Sequence, residues 1–174
     1  PSKIGYDETA LEKDFHRLAD FLLEADQHFF LFRDFQSRNI MIKSGAPYFI
    51  DYQGGRRGAL QYDLASLLYQ AKANIPTDIR RELLDHYLDV ASELTTIDRE
   101  AFIRYYYGFV FIRSIQVLGA YGYRGLYERK EHFLKSIPFA LRNVKWLLDH
   151  QMIHPELPEL TRLFERIIKS KQYE

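Results

Sequence analysis

Asp34, Asn39 and Asp51 punctuate a stretch that reads as loop, strand, turn, strand, and this pattern constrains the chain more than any other. Asn39 stands five positions after Asp34, and Asp51 twelve after Asn39. Residues 39–43 and 47–51 are short β-prone runs joined by Ser44-Gly45-Ala46, which predicts a hairpin. Before them, Phe29-Phe30-Leu31-Phe32 is apolar with polar flanks, the mark of a buried strand or extended entry. After them, Gly54-Gly55-Arg56-Arg57-Gly58 reads as a sharply turning loop.

The rest is helical by pattern. Asp7 or Thr9 can cap a helix whose apolar positions Leu11, Phe15, Leu18 and Leu22 recur at helical spacing. Residues 60–72 read as one helix. A second follows the turn at Ile75-Pro76, with Thr77 as N-cap, and ends near residue 94. A third begins at Asp98 and runs to about residue 119 or beyond, and shorter helices are expected over residues 128–135, 138–150 and 158–169. No repeat, low-complexity tract or linker intervenes. The expectation is one mainly α domain, residues 1–174, with a small β-hairpin at its working end.

Composition narrows the function classes. With 47% hydrophobic and 16% aromatic residues, the chain can bury a core and is not disordered. Lys plus Arg equals Asp plus Glu at 24 each, so no overall field recruits nucleic acid. The absence of Cys excludes disulfides, thiolate catalysis and Cys-based zinc sites. No apolar run approaches the roughly 18 residues of a membrane span, and no signal-peptide pattern opens the chain. Neither nucleic acid nor membrane is therefore an expected partner, and a cytoplasmic setting is expected. The chain opens Pro1-Ser2-Lys3 rather than with Met, so it is expected to belong to something longer.

Phosphoryl transfer from magnesium-bound ATP needs a carboxylate to orient or deprotonate the attacking hydroxyl. It also needs oxygen donors to hold magnesium against the phosphates. Asp34 fits the first role, and Asn39 and Asp51 the second. Singly, each has an ordinary reading as a turn cap or strand end; their joint spacing favours chemistry. Gln36 and Arg38, inside the same loop, are candidate phosphate or substrate contacts. Arg56 and Arg57 read as solvated charges, with contact to phosphate or an anionic substrate group as the alternative. The cluster Gly54, Gly55, Gly58 lacks the Lys-Ser/Thr ending of a P-loop. Tyr105, Tyr106, Tyr107, Phe109 and Phe111 read as core with a wet edge rather than a sugar-stacking platform.

Arg33-Asp34-Phe35-Gln36-Ser37-Arg38-Asn39 with Phe49-Ile50-Asp51-Tyr52-Gln53 resembles the catalytic and metal loops of protein kinase-like phosphotransferases. The run from Gly55 through Gln61-Tyr62-Asp63-Leu64 to Leu68 resembles the aminoglycoside phosphotransferase and choline kinase branch. Gln116-Val117-Leu118-Gly119-Ala120-Tyr121-Gly122 and Pro138-Phe139-Ala140-Leu141 are similar to the bacterial cell-wall amino-sugar kinases. Those enzymes phosphorylate N-acetylmuramate and N-acetylglucosamine at the anomeric hydroxyl. The resemblance covers nearly the whole chain, most specifically over residues 33–68.

It implies the helical carboxy-terminal lobe of the protein kinase-like fold: catalytic loop 32–39, metal loop 50–53 and helical substrate region 60–170. ATP and Mg2+ are the implied cofactors, and a sugar, most of all an amino sugar, the implied acceptor. An acid matching Asp63 opens a helix in this branch and, with Arg33, braces the catalytic loop. The family's acceptor site lies among the helices of this lobe, which makes residues 113–124 a candidate pocket wall with no individual residue assigned. Phe32 stands where His is common, a change expected to leave activity intact. Gln53 stands where protein kinases place Gly, which points away from that class. Nothing before residue 30 resembles an amino-terminal kinase lobe, so the ATP lobe is expected upstream. Residues 1–174 alone are then expected to bind Mg-ATP poorly and turn over negligibly.

Four other readings compete. A protein kinase needs an activation segment, and only eleven residues separate Asp51 from Asp63. An aminoglycoside kinase needs an acceptor pocket rich in carboxylates, whereas Arg56 and Arg57 follow Asp51. A choline-type kinase shares the motif at Asp63. A catalytically silent kinase-like binding module is opposed by the intact Asp34, Asn39 and Asp51.

Overall fold

The computed structural model describes residues 4–170. Among them, the chain forms seven α-helices and two two-stranded antiparallel sheets, a mainly helical domain with a small β element. Helix α1, Glu8–Leu23, starts where Asp7 accepts a hydrogen bond from Ala10 N at 3.0 Å, an N-cap that satisfies one of the free N–H groups of the first turn. Its buried face is Asp14, Leu18 and Leu22. Leu11 is half-buried and Phe15 exposed, so the expected apolar stripe shifts by one residue toward a buried carboxylate.

Strand β1, Phe29–Leu31, pairs with β4, Arg56–Gly58, placing Leu31 opposite Arg56 and Phe29 opposite Gly58. The expected loop over residues 54–58 thus ends in a strand, and Gly58 leaves room for the Leu31 side chain against its backbone. β1 is not a buried strand: only Leu31 is buried, and Phe30 lies open to solvent. The hairpin is β2, Ile40–Lys43, with β3, Ala46–Phe49, in the register Ile40↔Phe49 and Lys43↔Ala46. Met41 and Ile42 are exposed, so they do not anchor the preceding loop in a core.

Helix α2, Gln61–Leu68, is shorter than the expected 60–72. Tyr69 O accepts from the buried Asn143 amide at 2.9 Å, and Gln70 turns extended before a 3-10 turn over Ala71–Ala73. Helix α3, Thr77–Leu94, begins with Thr77 as its first residue rather than its cap, because Pro76 takes the cap position without a side-chain bond. Helix α4, Arg99–Gly122, is capped by Asp98 through Ala101 N at 3.0 Å and runs on into a π turn, Tyr123–Tyr127. Short α5, Glu131–Leu134, then α6, Ile137–Asp149, and α7, Pro158–Lys169, complete the fold.

The core sits along α4. Phe102, Tyr106, Phe109, Val110 and Phe111 are buried around much of its circumference, which makes it the central helix. Leu64 and Leu68 of α2, Val144 and Leu147 of α6, and Leu18 and Leu22 of α1 pack with them. Burying each large apolar side chain contributes about 1.5–3 kcal/mol. Gly108 marks where α1 crosses α4: a Cβ there would lie 2.9 Å from Leu22 Cδ2. Helices α1 and α7 are tied by two acids. Asp14, 2% exposed, accepts from Glu159 N at 2.7 Å and Leu160 N at 3.0 Å. Glu159 accepts from Asp7 N at 2.9 Å in return. Each helix thereby satisfies backbone donors near the start of the other.

Candidate active site

The segment after β1 is held from two sides. Asp63, in the first turn of α2, accepts from Phe32 N at 2.6 Å through Oδ2 and from Arg33 N at 2.9 Å through Oδ1. Gln70, just beyond α2, accepts from Ser37 N at 2.9 Å and Ser37 Oγ at 2.7 Å. Between these ties Arg33 adopts φ +81°, a left-handed conformation that costs a non-glycine residue about 1–3 kcal/mol unless its surroundings hold it. Phe32 packs with Phe35, Phe49 and Tyr52 at centroid distances of 5.8, 6.4 and 5.5 Å. The ring at this position therefore packs the loop against the end of the hairpin.

Asp34 gathers three donors. Gln36 Nε2 donates to its Oδ1, while Asn39 Nδ2 at 3.3 Å and Arg38 at 3.4 Å lie by its Oδ2. Asn39 is 5% exposed and also donates to Asp34 O at 2.9 Å. The Asn39 amide nitrogen therefore faces Asp34, and the Asn39 Oδ1 accepts no hydrogen bond among the described residues. Asn39 O accepts from Ile50 N at 3.0 Å, so the hairpin sets residue 50 opposite Asn39 and Asp51 one step beyond. Asp51 is exposed, has φ +61°, and accepts from Gln53 Nε2 at 3.1 Å. Among the described residues no group of three or more His, Cys, Asp or Glu could hold a metal ion unaided. One carboxylate and one amide oxygen instead suit a magnesium ion that takes its other ligands from phosphates and water.

Two cavities meet at Asp34. The larger, about 550 Å³, is bounded by Asp34, Gln36 and Arg38 on one side and by residues of α2, α4, α5 and α6 on the others. The smaller, about 240 Å³, takes in Arg33, Asp34, Gln53 and Gly54. Arg113 of α4 lines both. Its NH1 donates to Tyr62 Oη and Gln116 Oε1, each at 3.0 Å, and its Nε is buried with no hydrogen bond among the described residues. Burial pushes the Asp63 carboxyl above its ordinary value of 3.8, against the lowering effect of its two backbone bonds and of Arg113. Burial likewise pushes Tyr69, in the larger cavity, up to about 12, which keeps its phenol neutral. A shallow groove of about 680 Å³ along α1 contains none of these residues.

The structure thus brings Arg33, Asp34, Gln36, Arg38, Asn39 and Asp63 around one loop, with Asp51 across the hairpin end. Arg56 and Arg57 are exposed residues of β4 and line neither cavity containing Asp34. Residues 113–124, expected as a pocket wall, supply Arg113, Ser114, Val117, Ala120, Tyr121 and Arg124 to the larger cavity. Gln70 and Lys72 were not marked by the sequence, because no local motif announces a side chain delivered from a distant turn.

The model of the phosphotransferase enzyme family matches residues 4–103, more than half of the chain. The chain belongs to this family. It is also similar to the N-acetylmuramate/N-acetylglucosamine kinase of Neisseria meningitidis serogroup B, with 26% identity over 155 residues. That match covers 87% of this chain and 46% of the relative, so the chain spans about half the length of the curated kinase it matches. For a phosphotransferase, the loop from Arg33 to Asn39 and the hairpin ending at Asp51 lie within the matched family region. The α4 and α6 walls of the larger cavity lie beyond it, where the kinase relative supplies the likeness. Among the described residues, no helix is long and apolar enough to cross a membrane.

Proposed function

We propose that this chain is the acceptor-side, carboxy-terminal lobe of an ATP- and Mg2+-dependent cytoplasmic kinase that phosphorylates a sugar hydroxyl, most specifically that of an amino sugar. The nucleotide lobe belongs to the same protein, upstream. The observation that carries the reading is Asp34, held by Gln36 and Asn39 at the junction of the two cavities. An acceptor in the larger cavity presents its hydroxyl to Asp34, which orients it and takes its proton. Asn39, with its amide nitrogen turned to Asp34, leaves an oxygen for magnesium, and exposed Asp51 supplies a carboxylate. When bound, magnesium neutralises phosphate charge. Asp63 holds the strained Arg33 turn and with it the direction of Asp34.

The test is ADP release by the full-length protein with N-acetylmuramate, N-acetylglucosamine, glucose, choline and kanamycin as acceptors. Turnover with a sugar, lost in Asp34→Asn, is expected. Turnover with kanamycin or choline alone would move the acceptor class, and activity unaffected by Asp34→Asn would remove Asp34 from its role.

A further inference from the structure

The chain as a whole is electrically balanced, with 24 basic and 24 acidic residues, yet the larger cavity is not. Arg38, Lys72, Arg113 and Arg124 line it against one carboxylate, Asp34. His132 adds a further nitrogen base to the same wall. Arg38 lies 3.4 Å from Asp34, so the remaining three cations have no acid of the cavity to themselves. None of the three makes a salt bridge within 4.0 Å among the described residues, and Arg113 is bonded to neutral oxygens. Glu128, whose carboxyl Lys130 and Arg124 hold below its ordinary value, is itself bonded to Lys130 at 2.6 Å. Tyr69 and Tyr121 are pushed upward by burial and add no negative charge.

Position separates these cations by task. Arg113 faces both cavities, including the one lined by Arg33 and Gln53, and so lies on the phosphoryl side as well. Lys72, on the 3-10 turn after α2, and Arg124, on the π turn after α4, line the larger cavity alone of the two. Each rides on a short irregular turn that ends or extends a regular helix. Arg124 lies 5.3 Å over the Phe133 ring, which orients its guanidinium. Fixed positive charge in a cleft raises the local concentration of an anion and repels a polycation.

We propose that Lys72 and Arg124 form an acid-recognising subsite of the acceptor cavity, so that the favoured substrate is a sugar carrying a carboxylate rather than a neutral or cationic one. The proposal rests on the reading of Asp34 as the acceptor-side group. Lys72 and Arg124 act on binding and orientation of the acceptor and take no part in the proton transfer.

The test compares N-acetylmuramate, which carries a carboxylate, with N-acetylglucosamine, the related neutral sugar, on the full-length protein. The wild type is expected to favour the acid by about tenfold or more in kcat/KM. Arg124→Gln and Lys72→Gln should each lower the acid-to-neutral ratio by about tenfold, through KM for the acid, with Arg124→Lys retaining most of it. Raising salt from about 0.05 M to about 0.5 M should shrink the ratio in the wild type more than in Arg124→Gln. A wild-type ratio near one, or equal losses on both sugars in the variants, would overturn the subsite; equal losses in kcat would return both cations to the phosphoryl group. If neither sugar is turned over, the kinase reading fails separately, and calorimetry then decides the subsite. Binding of N-acetylmuramate weakened about tenfold by Arg124→Gln supports it, and no difference between the two sugars or the two proteins sinks it.

Discussion

Asp14 and Asp63 each accept two backbone N–H groups from a segment distant in sequence, but one closes a fold and the other holds a bend. Asp14 is buried at 2% exposure and serves the first turn of a regular helix. Its partners would be free donors in any case, so the bonds stabilise both helices without distortion. Asp63 serves Phe32 and Arg33, where the backbone turns through φ +81°. Half-buried, and with its carboxyl raised by that burial, it stabilises less while constraining more. The same hydrogen-bonding group is thus used for strength between α1 and α7 and for direction beside Asp34.

The largest effect separating the two regions is on turnover. Asp34→Asn in the full-length protein should lower kcat by about 10²–10⁴-fold while the thermal midpoint stays put. A midpoint shift equal to that of a core variant would place Asp34 with the structural acids. Next comes Asp14→Ala, expected to cost about 2–3 kcal/mol by denaturant titration because it orphans two N–H groups. Turnover per folded molecule should be unaffected, and a selective loss of kcat would break the division between strength and direction.

Asp63→Asn should do some of each, costing about 1–2 kcal/mol and lowering kcat roughly tenfold or more, since one oxygen cannot hold both N–H groups of the strained turn. Loss of stability alone would make the loop self-supporting.

The smallest effect is a difference in sign with pH. The folded-state carboxyl of Glu159 is held below its ordinary 4.5 by the Asp7 N–H and by Arg162. Its contribution is therefore complete above 4.5 and is lost as pH falls through the depressed value. Asp63 is raised, so its proton is held more tightly in the folded state, and its contribution declines as pH rises from 3.8 through the raised value. Denaturant titrations from about pH 3 to about pH 6 should show the cost of Glu159→Gln growing with pH and that of Asp63→Asn shrinking. Parallel curves would mean that the two acids are held alike.

Much of this was legible where the determinants are local. Of the two caps offered for the first helix, Asp7 takes the position, α4 starts at its cap Asp98 where a helix was expected to begin, and Gly45, at φ +78°, turns the hairpin. Tyr106, Phe109 and Phe111 lie in the core with Tyr105 and Tyr107 half-buried at its edge, as expected for this aromatic cluster. What escaped depends on distant partners. Nothing in Gly54-Gly55-Arg56-Arg57-Gly58 announces a strand, because its hydrogen bonds go to residues 29–31. The end of α2 is dictated by Asn143 and Ser37, neither of them a neighbour in sequence. Thr77 carried the right chemistry for a cap, but Pro76 took the position.

By itself, the sequence determined a mainly helical domain, a loop carrying Asp34 and Asn39, and a hairpin followed by Asp51. Those features follow from side-chain period, turn chemistry and residue type, all of which act within a few positions. Only the tertiary structure decided that Arg113 reaches Asp34's cavities from α4, and that Lys72 and Arg124 collect in the larger of them. Charge is counted along a chain but acts across space, so a balanced sequence can still fold around a basic cleft.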